Sequence, residues 1–169
     1  MPKAIRLYVK WVDSLSRWTG IFAMFLLFAL LGILLYSTIM KTWFLPSLWT
    51  VEAAQFVMVS YYLLGGAWTL KEGEHVRMDL LYSRWTPRKK AGVDLVTGLA
   101  MIFFLGLLFA GGVASSYYAW QTNEHSFSAW RPPMLPVKLI MTFGIFLTLL
   151  QAAAIFFRDW ATLRGASIE

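Results

Sequence analysis

Residues 18–40, WTGIFAMFLLFALLGILLYSTIM, run for 23 positions without a charged side chain. An α-helix rises about 1.5 Å per residue, and the hydrocarbon core of a bilayer is about 30 Å thick, so a block of this length and polarity predicts a membrane-crossing helix. Working outward, the charged residues cut three more such blocks from the chain, at 53–70, 95–123 and 139–157. The second reaches crossing length once the turn containing Glu52 is added. The third is longer than a bilayer needs and is expected to tilt or to project beyond the lipid. The reading is an all-α integral membrane protein, a single membrane domain over 1–169. It has four transmembrane helices at about 18–40, 51–70, 91–119 and 136–157, a loop at 71–90 on one side and loops at 41–50 and 120–135 on the other.

Composition excludes the main alternatives. The 169 residues are 59% hydrophobic and 14% charged, whereas a soluble domain carries roughly a quarter charged residues. Disorder is excluded by the same apolar content. A net charge of +6 would point to nucleic acid in a soluble chain, but here the cations sit between apolar blocks, so no nucleic-acid partner is expected. Cysteine is absent, which removes disulfides, thiolate metal sites and cysteine nucleophiles together.

Proline and tryptophan agree with the blocks. None of the six prolines falls inside a span, and Thr86-Pro87 and Pro136 are placed to start the third and fourth helices. Ser47 or Thr50 is placed to cap the second. Indoles favour the membrane–water interface. Trp11, Trp18, Trp43, Trp49, Trp68, Trp85, Trp120, Trp130 and Trp160 all lie near span ends or in connections. Of the fifteen Lys and Arg, only Lys41, Arg131 and Lys138 belong to the side that receives the 41–50 and 120–135 loops. The excess of cations on the opposite side predicts that both termini are cytoplasmic. The first block is too long for a signal peptide and lacks a small-residue cleavage site, so it is expected to stay as a span.

Two further segments are amphipathic. On a helical wheel Lys3, Arg6, Lys10, Asp13, Ser14 and Arg17 share one narrow arc. Ile5, Leu7, Tyr8, Val9, Trp11, Val12, Leu15 and Trp18 occupy the rest. That pattern predicts an interfacial helix over 3–17 with its cations near phospholipid phosphates, the alternative being a plain start of the first span. In the 71–90 loop, Met78, Leu81, Tyr82 and Trp85 follow helical spacing and predict one short amphipathic helix.

The spans lack what a carrier or an enzyme needs. No Asp, Glu, Lys, Arg or His lies in a span interior, whereas transport paths through lipid are marked by such residues or by broken helices. A proton-coupled drug exchanger of the small multidrug type would need a carboxylate there. Glu52 stands at the outer start of the second helix, where the helix dipole favours it; a partner contact is the other reading. His75 and His125 lie on opposite sides of the bilayer and cannot share a haem iron. No phosphate loop, catalytic triad or metal-spaced carboxylate pair is present. The sequence therefore predicts no enzyme, no cofactor, no metal and no substrate-binding residue in this chain. It does carry small residues four apart in the third span, Gly106, Ala110 and Ala114, beside a second row of Gly111, Ser115 and Ala119. Such rows let helices approach closely, within the chain or against a partner.

The segment Gly65-Gly66-Ala67-Trp68, continuing through Leu70 and Gly73 to His75-Val76-Arg77-Met78-Asp79-Leu80-Leu81, resembles the hallmark of the small, DctQ-type membrane subunit of TRAP (tripartite ATP-independent periplasmic) transporters. Four spans, Glu52, and the outer Trp130-Arg131-Pro132-Pro133 leading to Pro136 and Lys138 extend the resemblance over most of the chain. Met78 departs mildly, standing where Val or Ile is common. The resemblance implies a bacterial inner-membrane subunit with no transport site of its own. It would be a scaffold for a large membrane subunit that imports an organic acid, usually with sodium, from a periplasmic substrate-binding protein. Glu52, His75, Arg77, Asp79, Gly106, Ala110 and Ala114 are then the candidate partner-interface residues. An assembly or anchor subunit of another membrane complex, such as a respiratory enzyme, is the alternative.

Overall fold

A computed structural model of the chain describes residues 3–72 and 87–163. They form four helices: α1 (Lys3–Trp43), α2 (Thr50–Glu72), α3 (Pro87–Thr122) and α4 (Leu135–Leu163). The protein is all-α and multi-pass in character. Among the described residues, three helices are long and apolar enough to cross a membrane, within Ile5–Trp43, Gly92–Thr122 and Leu135–Ala161. The remaining helix, α2, has the length, since 23 residues span about 34 Å, but Gln55, Ser60, Tyr61, Tyr62, Gly65, Gly66 and Thr69 dilute its hydropathy.

The position of α2 accounts for that composition. It packs against α1 on one side and α4 on the other, while α3 packs against α4, so the helices lie across the bundle in the order α1, α2, α4, α3. A helix covered on two sides is solvated largely by protein and tolerates more polar side chains than one facing lipid. Ala54, Ser60, Leu64, Ala67 and Leu70 of α2 are all buried. Ala23, Leu64, Ala67 and Leu147 form the central cluster where α1, α2 and α4 meet.

Each of the three long contacts is set by one glycine. A Cβ on Gly20 of α1 would lie 1.8 Å from the Trp68 ring of α2. On Gly144 of α4 it would lie 2.8 Å from Leu63 Cβ and 2.9 Å from the Leu63 backbone in α2, and on Gly112 of α3 it would lie 2.9 Å from the Thr142 hydroxyl of α4. Close backbone approach is how helices gain dispersion energy in lipid, where no hydrophobic drive brings them together. Hydroxyls inside the helices are satisfied locally: Thr38, Ser60, Thr142 and Thr148 each donate to the carbonyl four residues earlier, the usual way to carry such groups where no water is available.

The stretch expected to lie as a separate interfacial helix over 3–17 runs without a break into the first span. Lys3–Trp43 is one helix of 41 residues, about 60 Å long. No proline interrupts it, and Gly20 is held helical against Trp68. Its first turns pack on the far end of α4, burying Val9 and Val12 against Ala154. The expected wide apolar face of residues 3–18 is therefore divided. Ile5, Tyr8, Val9 and Val12 turn toward α4, whereas Leu7, Trp11 and Trp18 stay exposed. The amphipathic helix expected within 71–90 falls almost wholly outside the described residues.

Candidate functional surfaces

Glu52 sits in the first turn of α2, as the sequence placed it, but its carboxylate is turned under the 123–134 connection. Ser126 Oγ donates to Oε1 at 3.5 Å, and Oε2 is the one buried side-chain polar atom without a hydrogen-bond partner among the described residues. The connection that covers it is ordered by its own backbone. Ser126 N donates to Pro132 O at 3.0 Å and Met134 N to Glu124 O at 2.9 Å, His125 and Pro133 pair as an isolated bridge, and Lys138 clasps Glu124 in an ion pair. Asn123 and Arg131 take φ of 46° and 50°, which closes the hairpin at a conformational cost. Phe127 stands fully exposed upon it.

His75, Arg77 and Asp79 lie outside the described residues. Gly106, Ala110 and Ala114 are on the side of α3 turned away from α4: Ala110 and Ala114 are exposed, and a Cβ on Gly106 would meet nothing within 4 Å. The α3 residues that pack are instead Gly112, Ser116 and Ala119, with Ser116 and Thr142 sharing a hydrogen bond of 3.1 Å. The rest of α3 presents Leu99, Phe103, Phe104, Leu107 and Tyr117 outward, an apolar surface wider than single scattered side chains. Of the tryptophans, Trp11, Trp18, Trp43 and Trp120 are well exposed, Trp49 and Trp130 less so, and Trp68 and Trp160 are half-buried. Trp85 is not among the described residues.

One constellation was not anticipated from the sequence. Where α1 crosses α4, Ser16 Oγ donates to Gln151 Oε1 at 2.8 Å, Gln151 Nε2 donates to Asp13 Oδ1 at 3.0 Å, and Arg158 pairs with Asp13 Oδ2. Gln151 has no exposed surface and Ser16 almost none. Tyr8 extends the clamp by donating to the Leu150 carbonyl at 3.1 Å. Two signals for it were present: Gln151 is the lone amide in the 139–157 block, and Asp13 is the lone acid in a basic arc.

A groove of about 580 Å³ opens between α1 and α2, floored by Gly20, Ala23, Gly65 and Gly66 and walled by Met24 and Tyr62 among others. Among the described residues no three acidic, His or Cys side chains gather as a metal site. The exposed surface of this bundle is rich in large apolar side chains, and the polar clamp of Asp13, Ser16, Gln151 and Arg158 ties α1 to α4.

Comparison with known proteins agrees with that character. Residues 30–162 match the family described as tripartite ATP-independent periplasmic transporters, DctQ component. No curated protein and no solved structure matches the chain. The match takes in all of α2 and α3, the hairpin over Glu52, part of α1 and nearly all of α4, so the chain belongs to the DctQ component family of tripartite ATP-independent periplasmic transporters.

Proposed function

We propose that this chain is the small scaffold subunit of a TRAP-type importer. It is not an enzyme and holds no substrate; it binds and steadies a large membrane subunit that performs cation-driven, sodium-coupled uptake of an organic acid delivered by a periplasmic binding protein. In this reading all four helices cross the bacterial inner membrane, both termini are cytoplasmic, and α2 crosses in the shelter of α1 and α4.

The observation that carries the proposal is the surface of α3. It packs on α4 along one side and leaves the rest of its apolar circumference open, with the small residues Gly106, Ala110 and Ala114 in a row along it. An apolar helix bared on three sides, with no ionisable residue in its interior, offers a seat for another helix and no route for a solute. Glu52 belongs to the same role at one remove, since it lies beneath the outer hairpin on which a docked binding protein would rest. The His75–Asp79 stretch supplies the cytoplasmic contact.

Reconstitution tests the division of labour. The purified chain alone, in liposomes under a sodium or proton gradient, is expected to move no organic acid, and uptake is expected only when the large subunit and loaded binding protein are added. Gradient-dependent uptake by this chain alone would overturn the scaffold role.

A further inference from the structure

We infer that the groove between α1 and α2 is a binding site for one phospholipid with a zwitterionic amine headgroup, of the phosphatidylethanolamine type. The inference concerns this chain's own surface and does not rest on the scaffold role. The groove exists because four small residues, Gly20, Ala23, Gly65 and Gly66, face one another where the helices pass. Gly20 is pressed so closely on Trp68 that even a methyl group is excluded. Beside that contact, Met24, Leu27, Tyr61 and Tyr62 wall a channel of about 580 Å³ whose lining is mostly apolar. Its shape and chemistry are those of an acyl-chain slot.

The charges at the mouth select the headgroup. Because α1 and α2 are antiparallel and Gly20 faces Trp68, the turn holding Arg17 on α1 stands level with the turn holding Lys71 and Glu72 on α2. At 100° per residue Arg17 lies about 20° around the helix from Met24 and about 10 Å along it, so it flanks the groove on the α1 side. It is exposed and has no ion-pair partner among the described residues. Across the mouth, Glu72 itself lines the groove. Its Oε1 takes both of its contacts, from Trp68 Nε1 at 3.1 Å and Lys71 Nζ at 3.6 Å. A guanidinium on one wall and a half-exposed carboxylate on the other complement a headgroup that carries a phosphate and an ammonium together. Lys71 offsets Glu72 only on the Oε1 side and at 3.6 Å, so an ammonium would find Oε2 open to it and a purely anionic headgroup would gain no such contact. Thr69 and the Trp68 indole complete a rim at the depth where headgroups and aromatic belts lie.

Native mass spectrometry of the full chain in detergent tests this, with phosphatidylethanolamine and phosphatidylglycerol of identical acyl chains offered in equal amounts. The expected result is one retained lipid, phosphatidylethanolamine over phosphatidylglycerol. Arg17→Ala should cut retention about tenfold, the loss of one charge-assisted contact. Glu72→Gln should erase the preference between the two lipids, and Arg6→Ala, on the same helix but below the groove, should change neither. Gly65→Leu fills the slot from α2, where a Cβ has room at 3.9 Å from Ala23, and Met24→Trp fills it from α1; either should abolish retention while the melting temperature reports an intact fold. Equal retention of both lipids by the wild-type chain would overturn the proposal, as would undiminished retention in a folded slot-filling variant. Loss of the lipid on co-purification with the large membrane subunit would assign the groove to a partner helix instead.

Discussion

Leucine in place of Gln151 would keep the volume at the crossing of α1 and α4 while leaving Ser16 and Asp13 each one partner short. A buried polar group without its partner costs about 1–3 kcal/mol, so Gln151→Leu should lower the thermal midpoint of the purified chain by several degrees. Adding Ser16→Ala should recover part of the loss, because the orphaned hydroxyl is then gone. Glycines give a second contrast. Gly144→Ala drives a methyl into the Leu63 backbone, an overpacking that costs about 1–3 kcal/mol. Gly106→Ala meets open space and should leave the midpoint unchanged or raised, since alanine is the better helix former by up to about 1 kcal/mol. Both comparisons are read by thermal melts in one detergent. Which glycine matters was not legible in the sequence. The rows at 106, 110, 114 and at 111, 115, 119 have much the same spacing as the packed set at 112, 116 and 119, and spacing alone does not say which face meets a neighbour. Gln151 was visible as an exception in its block, but its partners lie more than a hundred residues away and only the tertiary fold brings them together.

Among the elements, the helices were legible because a run of uncharged residues bounded by cations, prolines and indoles has few ways to fold in lipid. The unity of α1 was not, because an amphipathic stretch followed by an apolar one reads the same whether or not a bend separates them. What decides is that α4 offers a seat for the first turns. The element α2 was legible as an uncharged block, but its seat between α1 and α4 was not, because its polar residues dilute its apolar character. The open face of α3 carries its own prediction. Ala110→Trp or Ala114→Trp places a bulky ring on a surface turned away from α4, so the melting midpoint should hold. Recovery of the large subunit in a pull-down should fall sharply if that face is the seat. Wild-type recovery with both variants would remove α3 from the interface.

For the molecule as a whole, topology is the property on which the scaffold reading depends, and the absence of native cysteine makes it directly testable. An impermeant thiol reagent applied outside intact cells should label Leu48→Cys and Ser126→Cys and spare Ser83→Cys and Gly165→Cys. Labelling at 83 with none at 126 would invert the arrangement. The expectation rests on the charge distribution of the entire chain, three cations standing with the connections that carry positions 48 and 126 and twelve with the other group.

The clamp of α1 on α4 also has a consequence for how the molecule is made. Asp13 and Ser16 leave the ribosome at least 135 residues before Gln151 and Arg158. Over that stretch of synthesis the first turns of α1 therefore have a carboxylate and a hydroxyl without their partners. Unpaired, such groups favour the wet edge of the bilayer until α4 arrives to receive them. The clamp can thus close only after α4 has been made, and a chain truncated before residue 151 should keep the first turns of α1 unfastened, in reach of a protease that the closed clamp excludes.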